Sequence, residues 1–99
     1  MDVEFANSIL QQLETDVECN AGYGVEVVRG FRKVMRFIRS ARDERDLAAM
    51  RGLRYEKLKG KRRRQHSLRI NDQWRLVVQL KKGESKSFVQ VVEIVDYHD

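Results

Sequence analysis

A chain of 99 residues, 41% hydrophobic and 35% charged, has room for one modest core but not two, so residues 1–99 are read as a single domain. No apolar run approaches the roughly 18 residues of a membrane helix, and the opening MDVEF has neither a basic start nor an apolar signal core; a cytoplasmic protein with no membrane partner is expected. The lone Cys19 excludes an internal disulfide and a second thiol for zinc, while a formal charge of +5 and a pI near 9.7 point to a polyanionic partner, nucleic acid first and an acidic protein second.

Val3 to Ala6 reads as a short strand. Ser8 followed by Gln11 makes a capping-box pattern, and Ile9, Leu10, Leu13 and Val17 then fall at helical spacing, so a first helix is predicted over 8–18. This end is acidic, with no basic residue before Arg29. Asn20 to Gly24 is a turn. A second helix follows from the stripe Val27, Val28, Phe31, Val34, Met35 and Ile38. Arg29, Arg32, Lys33, Arg36 and Arg39 take its other face, either as the solvated side of a helix on a sheet or as a second surface for nucleic acid or an acidic partner. So wide an apolar stripe argues against a DNA-recognition helix. Asp43 to Met50 is predicted as a short helical turn, capped by Asp43 and closed by Gly52, and Tyr55 to Leu58 as a short strand ended by Gly60.

Charge is concentrated in the next stretch. Residues 51–70 hold nine Lys or Arg against one Glu, a balance of +8, so the rest of the chain sums to −3. Lys61-Arg62-Arg63-Arg64 sets four like charges in a row, which destabilise a compact state unless a partner offsets them. Alternation then begins. His66, Leu68 and Ile70 share one face and Ser67 and Arg69 the other; beyond Asn71-Asp72-Gln73, Trp74, Leu76, Val78 and Leu80 alternate with Arg75, Val77 and Gln79. This predicts a hairpin whose three-residue loop sets Ile70 against Trp74 and Arg69 against Arg75. Two facing arginines either hold an anion between them, a first hint of a phosphate site, or splay into solvent. Trp74 reads as core packing and His66 as a partly buried sheet histidine. Lys81 to Lys86 is the next turn, and Ser87 to Val95 a central strand buried on both faces. Asp96-Tyr97-His98 then brings together three side chains suited to proton transfer. In an extended backbone Asp96 and His98 lie on one side and Tyr97 on the other.

With LKGKRRRQHSLRINDQWRL and VEIVDYHD both read, the chain resembles the HigB group of the RelE/ParE toxin superfamily, the toxins of type II toxin–antitoxin pairs. LKG, SLRINDQWR and EIVDYH carry the resemblance from about Tyr55 to His98; the N-terminal half agrees in pattern. The resemblance implies an α+β fold, a RelE-like small domain in which two N-terminal helices pack on a twisted, mainly antiparallel β-sheet with a concave basic face open for RNA. It implies a ribosome-dependent mRNA endonuclease that cuts in the A site and inhibits translation, silenced by a HigA-like helix-turn-helix antitoxin; a heterotetramer with that antitoxin is left open. Catalytic roles fall by resemblance on Arg75, Asp96, Tyr97 and His98, with Lys59 as the basic residue of LKG. RNA contacts are expected from Lys57, Lys61, Arg62, Arg63, Arg64 and Arg69. The chain departs from the pattern in its uninterrupted Lys-Arg-Arg-Arg, where many members have an aspartate and then a glycine, and in Glu56, where some have a histidine.

Cleavage needs the 2′-hydroxyl to lose a proton, the phosphate to gain charge and the 5′-oxygen to leave protonated. No His/Cys/carboxylate set has metal-ligand spacing, so a metal-free route without a cofactor is expected. His98 is the natural acid or base, Asp96 its orienting partner or the base itself, and Tyr97 a stacking or phosphate-bonding group. Arg75, helped by Lys59 and Arg69, would stabilise the phosphate, its guanidinium held by the sheet and offered to solvent on the concave side. Two other readings are a ParE-like inhibitor of DNA gyrase without chemistry, and a binding-only partner of the antitoxin in autorepression.

Overall fold

The period-2 alternation becomes the hairpin at the centre of the sheet. A computed structural model describes residues 1–96, so Tyr97 and His98 lie outside the described residues. Strands β1 (Val3–Phe5), β2 (Glu56–Lys57), β3 (Gln65–Arg69), β4 (Trp74–Lys82) and β5 (Ser87–Asp96) form one sheet in the order β1-β5-β4-β3-β2. Only the β1–β5 pairing is parallel. The hairpin register is the expected one: Arg69 faces Arg75, and the Ile70 N–H donates to the Trp74 carbonyl at 2.9 Å.

β5 is an interior strand between β1 and β4, but β4 and not β5 is the central one, and β5 is not buried on both faces. Val89, Val91 and Ile94 are buried, whereas Phe88, Gln90, Val92, Glu93 and Val95 are half-buried. Val77 pairs with Glu93 and Val78 with Val91, which leaves Val92 as an extra residue. Such a bulge shifts the alternation by one, so Val91 and Ile94 reach the same core despite their odd spacing.

Helices α1 (Ser8–Thr15), α2 (Val25–Ser40) and α3 (Glu44–Ala49) complete the fold. All six residues of the predicted α2 stripe are buried, and with Leu10 and Leu13 of α1 they share one core with Leu68, Ile70, Leu76, Val78, Val89, Val91 and Ile94. Gly30 is where α2 presses on the hairpin, since a Cβ there would meet Ile70 Cγ2 at 2.7 Å and the Ile70 carbonyl oxygen at 2.9 Å.

α1 is shorter than predicted. Its cap is Asn7, not Ser8, through a 3.0 Å bond from the Leu10 N–H to the Asn7 side-chain oxygen. The far end stops at Thr15 because Asp16 Oδ1 accepts from the Glu18 N–H, a local turn that competes with the helix. Val17, placed on the apolar stripe by spacing alone, is 81% exposed. α2 fastens this end: the Arg32 guanidinium donates to the carbonyl of Leu13 in the last turn and to those of Asp16 and Cys19 beyond it, while Arg39 clasps the Glu14 carboxylate with two bonds of 2.6 and 2.7 Å. Two of the five cations on the outer face of α2 thus fasten α1. Among the described residues no helix is long and apolar enough to cross a membrane.

Candidate functional site

The helices cover one face of the sheet, and the alternate residues of β4, Arg75, Val77 and Gln79, point to the other. Register adds Arg69, Ser67 and Gln65 from β3, Glu56 from β2, and Val95 and Glu93 from β5.

Arg75 is the pivot of this face, but it is not offered to solvent as expected: it is only 7% exposed. Its Nε donates to Ser67 Oγ at 2.9 Å, and Nη2 donates to the Ser67 carbonyl at 3.3 Å and to the Arg54 carbonyl. Glu56 Oε2 stands 3.9 Å from Nη2. A buried guanidinium needs such partners, because its charge is costly to desolvate and its N–H groups cannot go unpaired. Arg54 supplies its carbonyl from a left-handed backbone conformation, φ 45°, ψ 54°, a position that disfavours side chains and costs of order 1–3 kcal/mol.

No anion is needed between the facing arginines. Arg69 turns to Asp72, and that hydrogen bond holds the Asp72 carboxyl below its usual range. Asp96 lies on the face opposite to Arg75. Register sets it opposite Trp74, whose neighbour Arg75 points to the other face, and its Oδ2 accepts from Gln73 Nε2 at 3.0 Å. The β5 partner of Arg75 is Val95. Asp96 is therefore not delivered beside the guanidinium, because adjacent residues of a strand face opposite ways.

The remaining basic residues divide by position. Lys59 is exposed at the start of the 3-10 turn Gly60–Arg62. Lys61, Arg63 and Arg64 are exposed, whereas Arg62 donates to Gln65 at 2.8 Å and to Glu93 at 3.2 Å. Lys57 faces His66 across the β2–β3 ladder, away from Arg75. His66 is a partly buried sheet histidine as expected, stacked on Tyr55 with ring centroids 4.5 Å apart. Burial lowers its pKa; Glu44, whose Oε2 is 3.7 Å from Nε2, opposes that shift and Lys57 adds to it. The Tyr55 hydroxyl donates to Glu44 at 2.7 Å, and burial, then this bond, raise its pKa.

Sequence reasoning missed several contributors. Ser67 was visible as a polar residue sharing the face of Arg75, but the Arg54 carbonyl and the approach of Glu56 depend on how the segment before β2 folds back. Lys81 and Lys82 were read only as turn residues, yet they border a groove of about 590 Å³ with Lys57, Arg63 and Arg64.

A five-stranded mostly antiparallel sheet, with helices on one face and a buried arginine on the other, defines a RelE/YoeB-like toxin fold. The chain is similar to the YoeB/ParE toxin from Agrobacterium tumefaciens, with a TM-score of 0.59 and 17% identity over 99% of this chain and 100% of that one. It is similar also to the YoeB-YefM complex from Staphylococcus aureus, with a TM-score of 0.55 and 16% identity over 100% and 98%. At such identities the likeness speaks for the fold alone. No curated protein matches the sequence. The sequence pattern of the RelE-like toxins of type II toxin–antitoxin system HigB matches residues 3–98, and the chain belongs to this family.

Proposed function

We propose that this toxin is a ribosome-dependent mRNA endonuclease that cuts in the A site by attack of the 2′-hydroxyl on the adjacent phosphorus. The observation that carries the reading is Arg75, a cation fixed by Ser67 and Arg54 with the Glu56 carboxylate 3.9 Å away on the open face. A preorganised guanidinium suits charge that develops on a phosphate. Glu56 stands where some members of the family have a histidine, and its exposed carboxylate can take the 2′-hydroxyl proton as the oxygen bonds to phosphorus. The 5′-oxygen then leaves with a proton from an acid, for which His98 is the candidate. The products are a 2′,3′-cyclic phosphate and a 5′-hydroxyl. Tyr97 is assigned to holding the scissile nucleotide, Asp96 to the flank of the site, and Lys59, Lys61, Arg63, Arg64 and Arg69 to RNA phosphates. An acidic, HigA-like antitoxin is the proposed protein partner; the YoeB structure with YefM supports an antitoxin partner, without bearing on its type.

Mapping mRNA 5′ ends after brief induction without antitoxin tests the reading. New 5′-hydroxyl ends in phase with codons are expected for the wild type and absent for Arg75→Ala. Growth arrest with intact mRNA would reject it in favour of a gyrase-type inhibitor.

A further inference from the structure

We propose a second polyanion site, for backbone phosphates of RNA, in the notch where β3 stops short of β4 at the far end of the hairpin from Arg75. The inference rests on the reading that RNA is the substrate. β4 pairs with β5 as far as Lys82–Ser87, but its pairing with β3 ends at Gln79–Gln65. The edge of Leu80–Lys82 on the β3 side thus lies beyond the ladder, and Gly60 to Arg64 borders the opening. Two grooves of about 590 and 390 Å³ share Arg63, Arg64 and Gln79 there.

Five cations converge on the notch: Lys57, Arg63, Arg64, Lys81 and Lys82. Among the described residues none of the five has a carboxylate within 4.0 Å, whereas Arg62, Arg69, Arg75 and Lys86 each have one. Clustered like charges without counter-charges disfavour the folded state, and a polyanion relieves them. A protein ligand would need apolar anchors, and Leu80 is the one aliphatic residue lining the larger groove. A phosphate backbone needs only cations and N–H donors. Lys81 is six residues along β4 from Arg75, about 20 Å at the rise of a strand. The notch therefore grips RNA well away from the scissile phosphate and contributes affinity, not chemistry.

The test is fluorescence anisotropy of a labelled single-stranded RNA with the purified toxin, from about 50 to 200 mM salt. Lys81→Ala/Lys82→Ala should reduce the slope of log affinity against log salt by about 0.7 for each phosphate that the variant no longer neutralises. Lys81→Arg/Lys82→Arg should restore it, and Arg29→Ala/Arg36→Ala on α2 should leave it unchanged. An unchanged slope in the lysine double, an equal loss in the α2 double, or no RNA binding by the wild type would each overturn the proposal. So would a lysine double that binds RNA normally but loses antitoxin, which would make the notch a protein site. Binding is read without cleavage: a lysine-dependent slope in a protein that never cuts mRNA keeps the notch and sinks the nuclease reading, and cleavage with an insensitive slope does the reverse.

Discussion

Arg75 shows how one residue can hold both a structural and a chemical role. Replacing it with alanine should lower single-turnover cleavage on programmed ribosomes on the order of a hundredfold, since stabilisation of the developing charge is lost. It should also cost about 1–3 kcal/mol of stability, because the buried Ser67 hydroxyl and the Arg54 carbonyl lose their donor. Urea unfolding measures the second effect separately from the first, and a folded variant with full cleavage would remove Arg75 from the mechanism. That Arg75 faces Arg69 was legible from alternation. Its burial was not, because the Arg54 carbonyl arrives from 21 residues away through a left-handed turn that no local pattern announces. His66 makes a pH prediction at the same scale. Burial depresses its pKa below the ordinary 6.5, so between those two values the unfolded chain binds more protons than the folded one. The stability held above pH 6.5 should therefore fall as pH drops through that window and level off below the folded pKa. His66→Gln should remove this component from the difference between unfolding curves at neutral and mildly acidic pH, and an identical pH dependence in both proteins would contradict it.

Between elements, local periodicity was a good guide and long-range capture was not. The α2 stripe and the hairpin register depend on repeats of 3.6 and 2.0 that a short window contains, and both were legible. The end of α1 was not, because the Asp16 side chain takes the Glu18 N–H in a local turn and Arg32 on α2 then fastens the carbonyls of Leu13, Asp16 and Cys19. Nor was the bulge at Val92, which changes face without changing composition. Gly30 allows helix propensity and packing to be set against each other. Propensity alone favours Gly30→Ala by about 1 kcal/mol. Distances of 2.7 and 2.9 Å from the added Cβ to Ile70 predict overpacking, and a shift of helix against hairpin costs typically about 1–3 kcal/mol. A net destabilisation in urea is expected; a more stable variant would show that the α2–hairpin packing yields easily. Arg62 should separate from its neighbours in the same way. Bonded to Gln65 and Glu93, it serves the fold, so Arg62→Ala should change ribosome binding less than Arg63→Ala or Arg64→Ala.

Across the whole molecule the charge divides into surfaces of different chemistry. The notch beside Lys81 and Lys82 is lined by charged or polar residues apart from Leu80, whereas the groove at the start of α2 mixes Arg29 and Arg36 with Val17 and Val25, the two most exposed large hydrophobic residues among those described. Protein interfaces combine apolar contact with charge, so an acidic element of the antitoxin is expected against α2. Arg32 and Arg39 are engaged in holding α1, which leaves Arg29, Lys33 and Arg36 to meet it. α1 itself carries Glu14 and is followed by Asp16 and Glu18, which would repel an acidic segment. Reversing Arg29, Lys33 and Arg36 to glutamate should weaken antitoxin affinity about tenfold or more, since each exposed ion pair removed is worth up to roughly 1 kcal/mol and repulsion replaces it. Calorimetric titration of the toxin with its antitoxin reads this directly, and the loss should shrink as salt is raised. Reversing Asp16 and Glu18 to lysine should leave affinity unchanged or raise it. If that second variant abolishes binding while the α2 triple binds normally, the antitoxin sits on the acidic end of the molecule and the assignment of α2 to it is wrong.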